Sequence, residues 1–326
     1  MKRDFLCAGQ AGAALLTAML TVALVASLAA ATLWQQWRSA EVEAAERSRA
    51  QALWVLTGAL DWARLILRED ARSGGADHLA EPWAVPLEEA RLSTFLAADK
   101  NNNADSDNTL PQAFLSGWIS DLQARLNVFN LVDNGKVSEP AMHAFAKLFD
   151  LLGLPPGELT ALAENLRLAL AASSVSGTAD PRTPLLPQRV DQLVWLGLSP
   201  ATLQALRPHI TLLPARTTVN LNTASATVLF ACIPSLDMAQ AQRMVSTRQT
   251  SHFKTLTDAA RLVTDAAEPL NPAQHSVDTH FFEVRGRLRQ EQAVVEERSV
   301  LQRNGLEVKT LWRDHGPPER HNPSLQ

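Results

Sequence analysis

Residues Gly12–Trp34 read GAALLTAMLTVALVASLAAATLW, and no charged residue falls between Ala8 and Gln35. From Ala13 to Trp34 an α-helix of about 22 residues would be ~33 Å long, enough to cross the hydrocarbon core of a bilayer. Backbone N–H and C=O groups find no water there, so a lone spanning segment has to be helical. Trp34 and Trp37 fall where the aromatic residues of a membrane interface belong. Helix formers continue past that edge through ERSRAQALWVLTGALDWARLILREDAR. Leu53, Leu56, Leu60, Ala63 and Leu67 recur at the spacing of a helix that lays one face on a domain. Arg72, Ser73 and the Gly74-Gly75 pair give a stop signal. The pattern predicts one helix of about 60 residues, ~90 Å if straight. Half of it is membrane span and half is the spine of a folded domain.

A short leader carrying Lys2 and Arg3 ends at Gly12, and the apolar helix begins at the next residue. This resembles a type IV prepilin leader. The resemblance implies cleavage after Gly12 by a prepilin peptidase and methylation at Ala13, with the apolar helix retained. A secretory signal peptide is the alternative, with Ala29-Ala30-Ala31 as a small-residue cleavage site and a mature N-terminus near Thr32. The helical pattern running through that point favours the prepilin reading. Pilins and major pseudopilins carry Glu at the fifth mature position, where this chain has Thr17. In the family that carboxylate neutralises a neighbour's terminal amine within lipid, where an unpaired charge is costly. A chain lacking it resembles the K family of minor pseudopilins of Gram-negative type II secretion systems.

The 326 residues leave room for one large or two small domains beyond this helix, and the net charge of −4 supplies no basic footprint for nucleic acid. Of the two cysteines, Cys7 lies in the leader and Cys232 is alone in the rest, so the mature chain has no intrachain disulfide. After Gly75 a connector, DHLAEPWAVP, leads to candidate strands at Arg91–Ala98 and Phe114–Val128. In the second, Trp118, Leu122, Ala124, Leu126 and Val128 alternate with Asp121, Gln123, Arg125 and Asn127. WISDLQARLNVFNLVDNG resembles the K family's own strand and turn.

From Ser138 the chain turns helical. Ser138 as N-cap and Pro140 in the first turn open a helix closed by Gly153, and Pro155-Pro156-Gly157 starts another. Shorter helices are expected at Pro187–Leu196, Pro200–Leu206, Ala224–Ala231, Met238–Thr247 and Thr257–Val263. After Pro272 strands return, with Phe282, Val284, Gly286 and Leu288 on one face and Glu283, Arg285, Arg287 and Arg289 on the other. Val294–Arg303 and Leu306–Arg313 form a hairpin joined by Asn304-Gly305. A sheet begun before a helical block and completed after it implies an insertion. The expected fold is α+β: a pilin-like long N-terminal helix packed on an antiparallel sheet, with a large all-α domain inserted into that sheet. The expected boundaries are 1–12 for the leader, 13–72 for the membrane and spine helix, 73–137 for the first part of the sheet, 138–270 for the inserted domain, 271–314 for the last strands and 315–326 for a disordered tail.

Three constellations bear on chemistry. In ADKNNNADSDN, Asp99, Asn101, Asn103 and Asp105 alternate like the start of a calcium loop. Ala104 stands where Gly should make the turn, and Leu110 where a bidentate Glu should close the site. Solvated turn residues are therefore the competing reading, and calcium is the one candidate ion. Residues 217–263, TTVNLNTASATVLFACIPSLDMAQAQRMV onward, resemble a helix-hairpin-helix unit, a fold that often grips DNA phosphates. Its hairpin, Ile233-Pro234-Ser235-Leu236-Asp237, lacks the glycines and carries an acid, and Arg243 and Arg248 alone make no basic stripe. The preceding RTPLLPQRVDQLVWLGLSPATLQALRPHITLLP makes the whole similar to the K family's inserted domain, where the unit is structural. His252, His275 and His280 fit no metal spacing and are expected as surface or capping residues. No nucleophile elbow, P-loop or dinucleotide fingerprint occurs, and Glu296-Glu297 on a strand point to opposite faces, so nothing supports an enzyme.

The resemblance implies an assembly protein in the inner membrane, crossing once with its C-terminal domain in the periplasm. Its implied partners are minor pseudopilins I and J, the inner-membrane secretion platform and the prepilin peptidase. It would act at the tip of a pseudopilus, initiating the fibre for export across the outer membrane. The alternatives are a membrane-anchored, competence-type DNA-binding protein and a simple anchored or secreted binding protein.

Overall fold

The computed structural model describes residues 11–92, 113–174, 183–263, 270–290 and 293–315. The chain divides into two compact units, Met1–Val55 and Leu56–Gln326. Helix α1 runs Ala11–Ser73 and supplies nearly all of the described part of the first unit. It ends at the expected stop: Gly74 and Gly75 take φ of 64° and 115°, and Gly74 N–H donates to the Asp70 carbonyl at 3.2 Å.

In the second unit, five described strands make one antiparallel sheet in the order β1 (Leu87–Arg91), β2 (Ala113–Asp121), β3 (Phe281–Gln290), β4 (Ala293–Asn304), β5 (Glu307–Asp314). Strands β2 and β3 are neighbours in the sheet although the whole helical block separates them in sequence. The α+β architecture with an inserted helical domain is therefore present. The insert holds α2 (Glu139–Leu152), α3 (Pro156–Ser174), α4 (Pro200–Leu206), α5 (Ala226–Cys232), α6 (Met238–Thr250) and α7 (Leu256–Ala260). It also contains two short parallel ladders, Leu126–Asn127 on Ile210–Thr211 and Val219–Asn220 on His275–Ser276. Phe145, Leu148, Phe149, Leu162, Leu166, Leu193, Leu206, Leu229 and Met244 belong to its single core.

On one face of the sheet lies the last part of α1. Leu60, Ala63 and Leu67 pack with Ile119, Phe282, Val284, Leu301, Val308 and the indole of Trp83, which meets Phe282 edge-on at 5.2 Å. Arg64 clamps the helix to the hairpin by donating to the Val308 carbonyl at 2.9 and 3.1 Å. The close approach depends on two glycines. Gly117 and Gly286 face each other across β2 and β3. A Cβ on Gly286 would stand 3.0 Å from Leu56 Cδ2, and one on Gly117 would stand 2.6 Å from the Arg285 carbonyl oxygen.

Several sequence expectations shift. The first strand is Leu87–Arg91, ahead of the expected Arg91–Ala98, of which residues 93–98 lie outside the described residues. The second stops at Asp121 rather than Val128, because the Asp121 carboxylate accepts the Gln123 N–H at 2.6 Å and turns the chain into the 3-10 helix Leu122–Ala124. Its buried face is Leu115 and Ile119, not the Trp118 face. Val190–Leu196 is a 3-10 helix. The hairpin pairs Asn304 with Glu307, so Gly305-Leu306 are its central residues, with Gly305 at φ 58°.

The glycine pair makes a prediction. Gly117→Ala should destabilise the fold by about 1–3 kcal/mol, since the clash is with backbone, while Gly286→Ala should cost less because the Leu56 side chain can rotate. Urea midpoints of the two variants in detergent test the ordering.

Candidate functional site

Between Ala13 and Trp34 every described side chain of α1 is exposed, including Leu15, Leu16, Met19, Leu20, Val22, Leu24, Val25 and Leu28. Its most apolar window has a mean hydropathy of 2.2 and is entirely unburied, so the helix is long and apolar enough to cross a membrane. The four hydroxyls in this stretch are already satisfied within the helix. Thr17 Oγ1 donates to the Ala13 and Ala14 carbonyls, both at 3.0 Å, and Thr21, Ser27 and Thr32 donate to carbonyls three residues back at 2.9–3.0 Å. Thr17 therefore presents no uncompensated polar group on the helix surface. Gly12 lies within α1, and Ala13 is exposed on it.

A buried polar joint fixes the inserted unit to the sheet. Four donors converge on the Asp121 carboxylate: Gln123 N and Thr223 Oγ1 at 2.6 Å, Thr279 Oγ1 at 2.6 Å, and Asn220 Nδ2 at 3.0 Å. Asn220 also donates to the Asp77 carbonyl at 3.2 Å. Asp77 accepts the Thr279 N–H at 2.7 Å and pairs with Arg303, which also reaches Asp70 at 2.6 Å. Burial pushes Asp77 up to about 6, despite Arg303, and raises Asp121 as well. Gln123 bridges the same corner, donating to the Thr218 carbonyl at 3.0 Å and accepting the His280 N–H at 2.7 Å. Asp70, Asp77 and Glu81 offer oxygens within 4.8 Å of one another. Arg303 already pairs with two of them, and Glu81 Oε2 accepts from His78 N at 2.8 Å and Trp83 Nε1 at 2.7 Å. The group is wired as a structural ion-pair cluster.

The calcium candidates Asp99, Asn101, Asn103 and Asp105 lie outside the described residues. The hairpin between α5 and α6 spends its polar groups internally. Lys147 donates to the carbonyls of Ile233, Pro234 and Leu236 at 2.9–3.2 Å, and Asp237 caps α6 through Gln240 N at 2.6 Å. Arg248 donates to the Leu221 carbonyl at 2.6 Å, and burial pulls its pKa down to about 10. The expectation for His275 is corrected. It is buried, with Nε2 3.1 Å from the Cys232 carbonyl, because the ladder with Val219 draws it inside. His252 stacks on His78 at 3.8 Å, and Cys232 is a buried thiol that burial pushes up to about 12. Sequence reasoning missed the joint. Its members, Asp77, Asp121, Asn220, Thr279 and Arg303, are scattered, and only their polarity inside apolar runs marked them.

Two family models, both described as type II secretion system protein K, match residues 124–215 and 219–278, which together span the inserted unit. Over these residues the chain matches the type II secretion system protein K family. The match agrees with the resemblance drawn from the inserted domain. Type II secretion system protein K of Pseudomonas aeruginosa is 27% identical over 325 residues, covering 94% of this chain and 89% of that one. Its counterpart from Pectobacterium carotovorum subsp. carotovorum is 25% identical over 343 residues, covering 96% and 99%. In fold, the chain is similar to one in the crystal structure of the GspK-GspI-GspJ complex from the enterotoxigenic Escherichia coli type 2 secretion system. The TM-score is 0.62 at 18% identity, over 84% of this chain and 99% of that one.

The joint carries two predictions. Asp121→Ala strips an acceptor from four donors and should cost more than ~3 kcal/mol in urea unfolding. Glu81 is pushed up to about 7 by burial, against the hydrogen bonds that favour its ionised form. A carboxyl that binds its proton more tightly when folded contributes stability at low pH, lost as the pH rises from the ordinary carboxylate range through about 7. Glu81→Gln keeps the acceptor for His78 and Trp83 without the charge. It should melt higher than the parent at pH 8, by the equivalent of ~1–2 kcal/mol after solvent screening, and the gap should close by pH 5.

Proposed function

We propose that this protein is a minor pseudopilin that sits at the tip of a type II secretion pseudopilus. It would help to initiate the fibre and so support protein export across the outer membrane. Residues 1–12 act as the leader, the prepilin peptidase cuts after Gly12, and Ala13 becomes the methylated N-terminus. Until assembly the protein crosses the inner membrane once, through α1, with Leu56 onward in the periplasm and the secretion platform beneath it. Its partners are the minor pseudopilins I and J, a reading supported by the complex named for the structural neighbour. The observation that carries the proposal is an entirely unburied apolar helix on a chain that matches the K family.

The helix has two solvents in turn. In the bilayer its leucines and valines contact lipid, and in the fibre they contact the helices of other subunits, so extraction exchanges one apolar environment for another. Thr17 suits a subunit with no neighbour above it to neutralise. Exposed Trp62 and Val85 stand beside an apolar cleft of about 230 Å³ formed by α1, the Pro82–Leu87 segment and the sheet. We assign the partner pseudopilins to this side. The inserted unit adds bulk that blocks further subunits from stacking over it.

Mass spectrometry of the membrane-extracted chain should find a methylated Ala13 at the N-terminus, whereas a chain starting near Thr32 would restore the signal-peptide reading. Gly12→Val should abolish cleavage and secretion while leaving membrane insertion intact, read by immunoblot of fractions and by exoprotein activity in the medium.

A further inference from the structure

The turn between α5 and α6 points three backbone carbonyls at one place. Lys147 Nζ, reaching across from α2, donates to Ile233 O at 2.9 Å, to Pro234 O at 3.2 Å and to Leu236 O at 3.2 Å. The Ile233 carbonyl also accepts the Leu236 N–H at 3.2 Å, which closes the turn that gathers the three oxygens. Pro234 has a fixed φ and no N–H, so it stiffens that turn without adding a donor to it. The ammonium also lies 4.2 Å from the centre of the Phe230 ring. An ammonium group has three donors, and here each has a carbonyl of its own.

No carboxylate shares this place. Among the described residues Lys147 forms no ion pair, and the ionisable group that acts on it is the Cys232 thiol, which burial keeps protonated. Asp237, at the end of the turn, is spent on capping α6, where it accepts the Gln240 N–H at 2.6 Å. Burial draws the Lys147 pKa below the usual lysine value. The charge is therefore held by carbonyl dipoles and a π face, the means by which carbonyl rings replace the hydration shell of an alkali ion. Neutral oxygens at 2.9–3.2 Å suit a large monovalent cation. Calcium and magnesium need closer oxygens, at about 2.0–2.6 Å, with carboxylates among them. Lys147 also has a fixed base to reach from, since its neighbours Phe145, Leu148 and Phe149 are buried in the core of the insert.

We propose that the α5–α6 turn is a monovalent-cation site, of a size for potassium or ammonium, that the chain keeps filled with the ammonium of Lys147. The side chain acts as a tethered ion. Because the occupant is covalently attached, its effective concentration at the site stays high, and the turn needs no ion from solution. Helix α2 supplies the cation while α5, α6 and the turn between them supply the cage, so one contact fixes how the three helices meet. With Lys147 in place a free ion is excluded. Without its ammonium, the three carbonyls and the ring are left to take potassium.

The test is thermal unfolding of the full chain in a non-ionic detergent, in potassium, lithium or choline chloride held at one ionic strength. The parent should melt at the same temperature in all three salts. Lys147→Met keeps the apolar stem and loses the ammonium, and in choline chloride it should melt about 5–10 °C lower than the parent. Potassium titrated to about 0.5 M should return about 3–6 °C along a saturating curve, and lithium should return little. Lys147→Gln, whose neutral amide still has two donors for the carbonyls, should lose less and gain less from potassium. Should Lys147→Met be unfolded in choline, potassium should restore its far-ultraviolet circular dichroism. A Met variant that melts with the parent in choline, or one that potassium neither raises nor refolds, would overturn the proposal. So would an equal response to lithium, or a parent that potassium raises as much as the variant.

Discussion

Four hydrogen-bond donors meet at the carboxylate of Asp121, and they come from three places: the turn that Asp121 itself starts, the Asn220–Thr223 turn of the insert, and Thr279. A buried carboxylate is costly unless its lone pairs are filled, so these donors hold only when all the segments are in place together. That condition is what lets a helical domain interrupt a sheet without loosening it. The chain leaves the sheet at Asp121 and returns past Thr279, and both ends of the detour are fastened to the same group. Through Asn220, Asp77 and Arg303 the fastening extends to the end of the spine helix, so helix, sheet and insert share one corner.

The sheet works as a plate with two different faces. Toward α1 it is apolar apart from Glu297 and Ser299, and stripped of side chains at Gly117 and Gly286, which lets the helix come close. On the other face Phe281, Val300 and Leu122 meet Leu213 in a small apolar patch, and beside it lie the charges around Glu283. The alternation of β3 produces both faces from one strand: Phe282, Val284 and Leu288 inward, Glu283 and Arg285 outward. Six arginines and six acids line a cleft on the second face, so its charges balance. The first unit obeys a different rule. Among the described residues it has no core of its own, and the hydroxyls of Thr17, Thr21, Ser27 and Thr32 are closed by back-bonding to the helix, which suits a segment whose surroundings are apolar.

Much of this was legible along the chain because it depends on local spacing. The apolar run after Gly12, the 3,4 spacing of Leu56, Leu60, Ala63 and Leu67, the glycine stop and the strong alternation of Phe282–Leu288 each report a single periodicity. Burial of those residues follows from the pattern itself. The second strand misled for an equally definite reason. Its alternation continues beyond Asp121, but one side-chain hydrogen bond to Gln123 N turns the backbone before the pattern ends. The hairpin's centre moved by one residue because register, not the Asn-Gly pair, decides which residues form the turn.

What the sequence determined alone was the class of the molecule: an uncharged N-terminal helix that can live in a membrane, a sheet split in two, and a helical domain between. These follow from hydropathy and period, which are properties of neighbouring residues. What only the tertiary structure decided was which polar residues are inside. Asp77, Asp121, Asn220, Thr279 and Arg303 lie up to hundreds of positions apart. Whether such a residue is solvated or paired depends on which distant segment reaches it, and no local pattern encodes that.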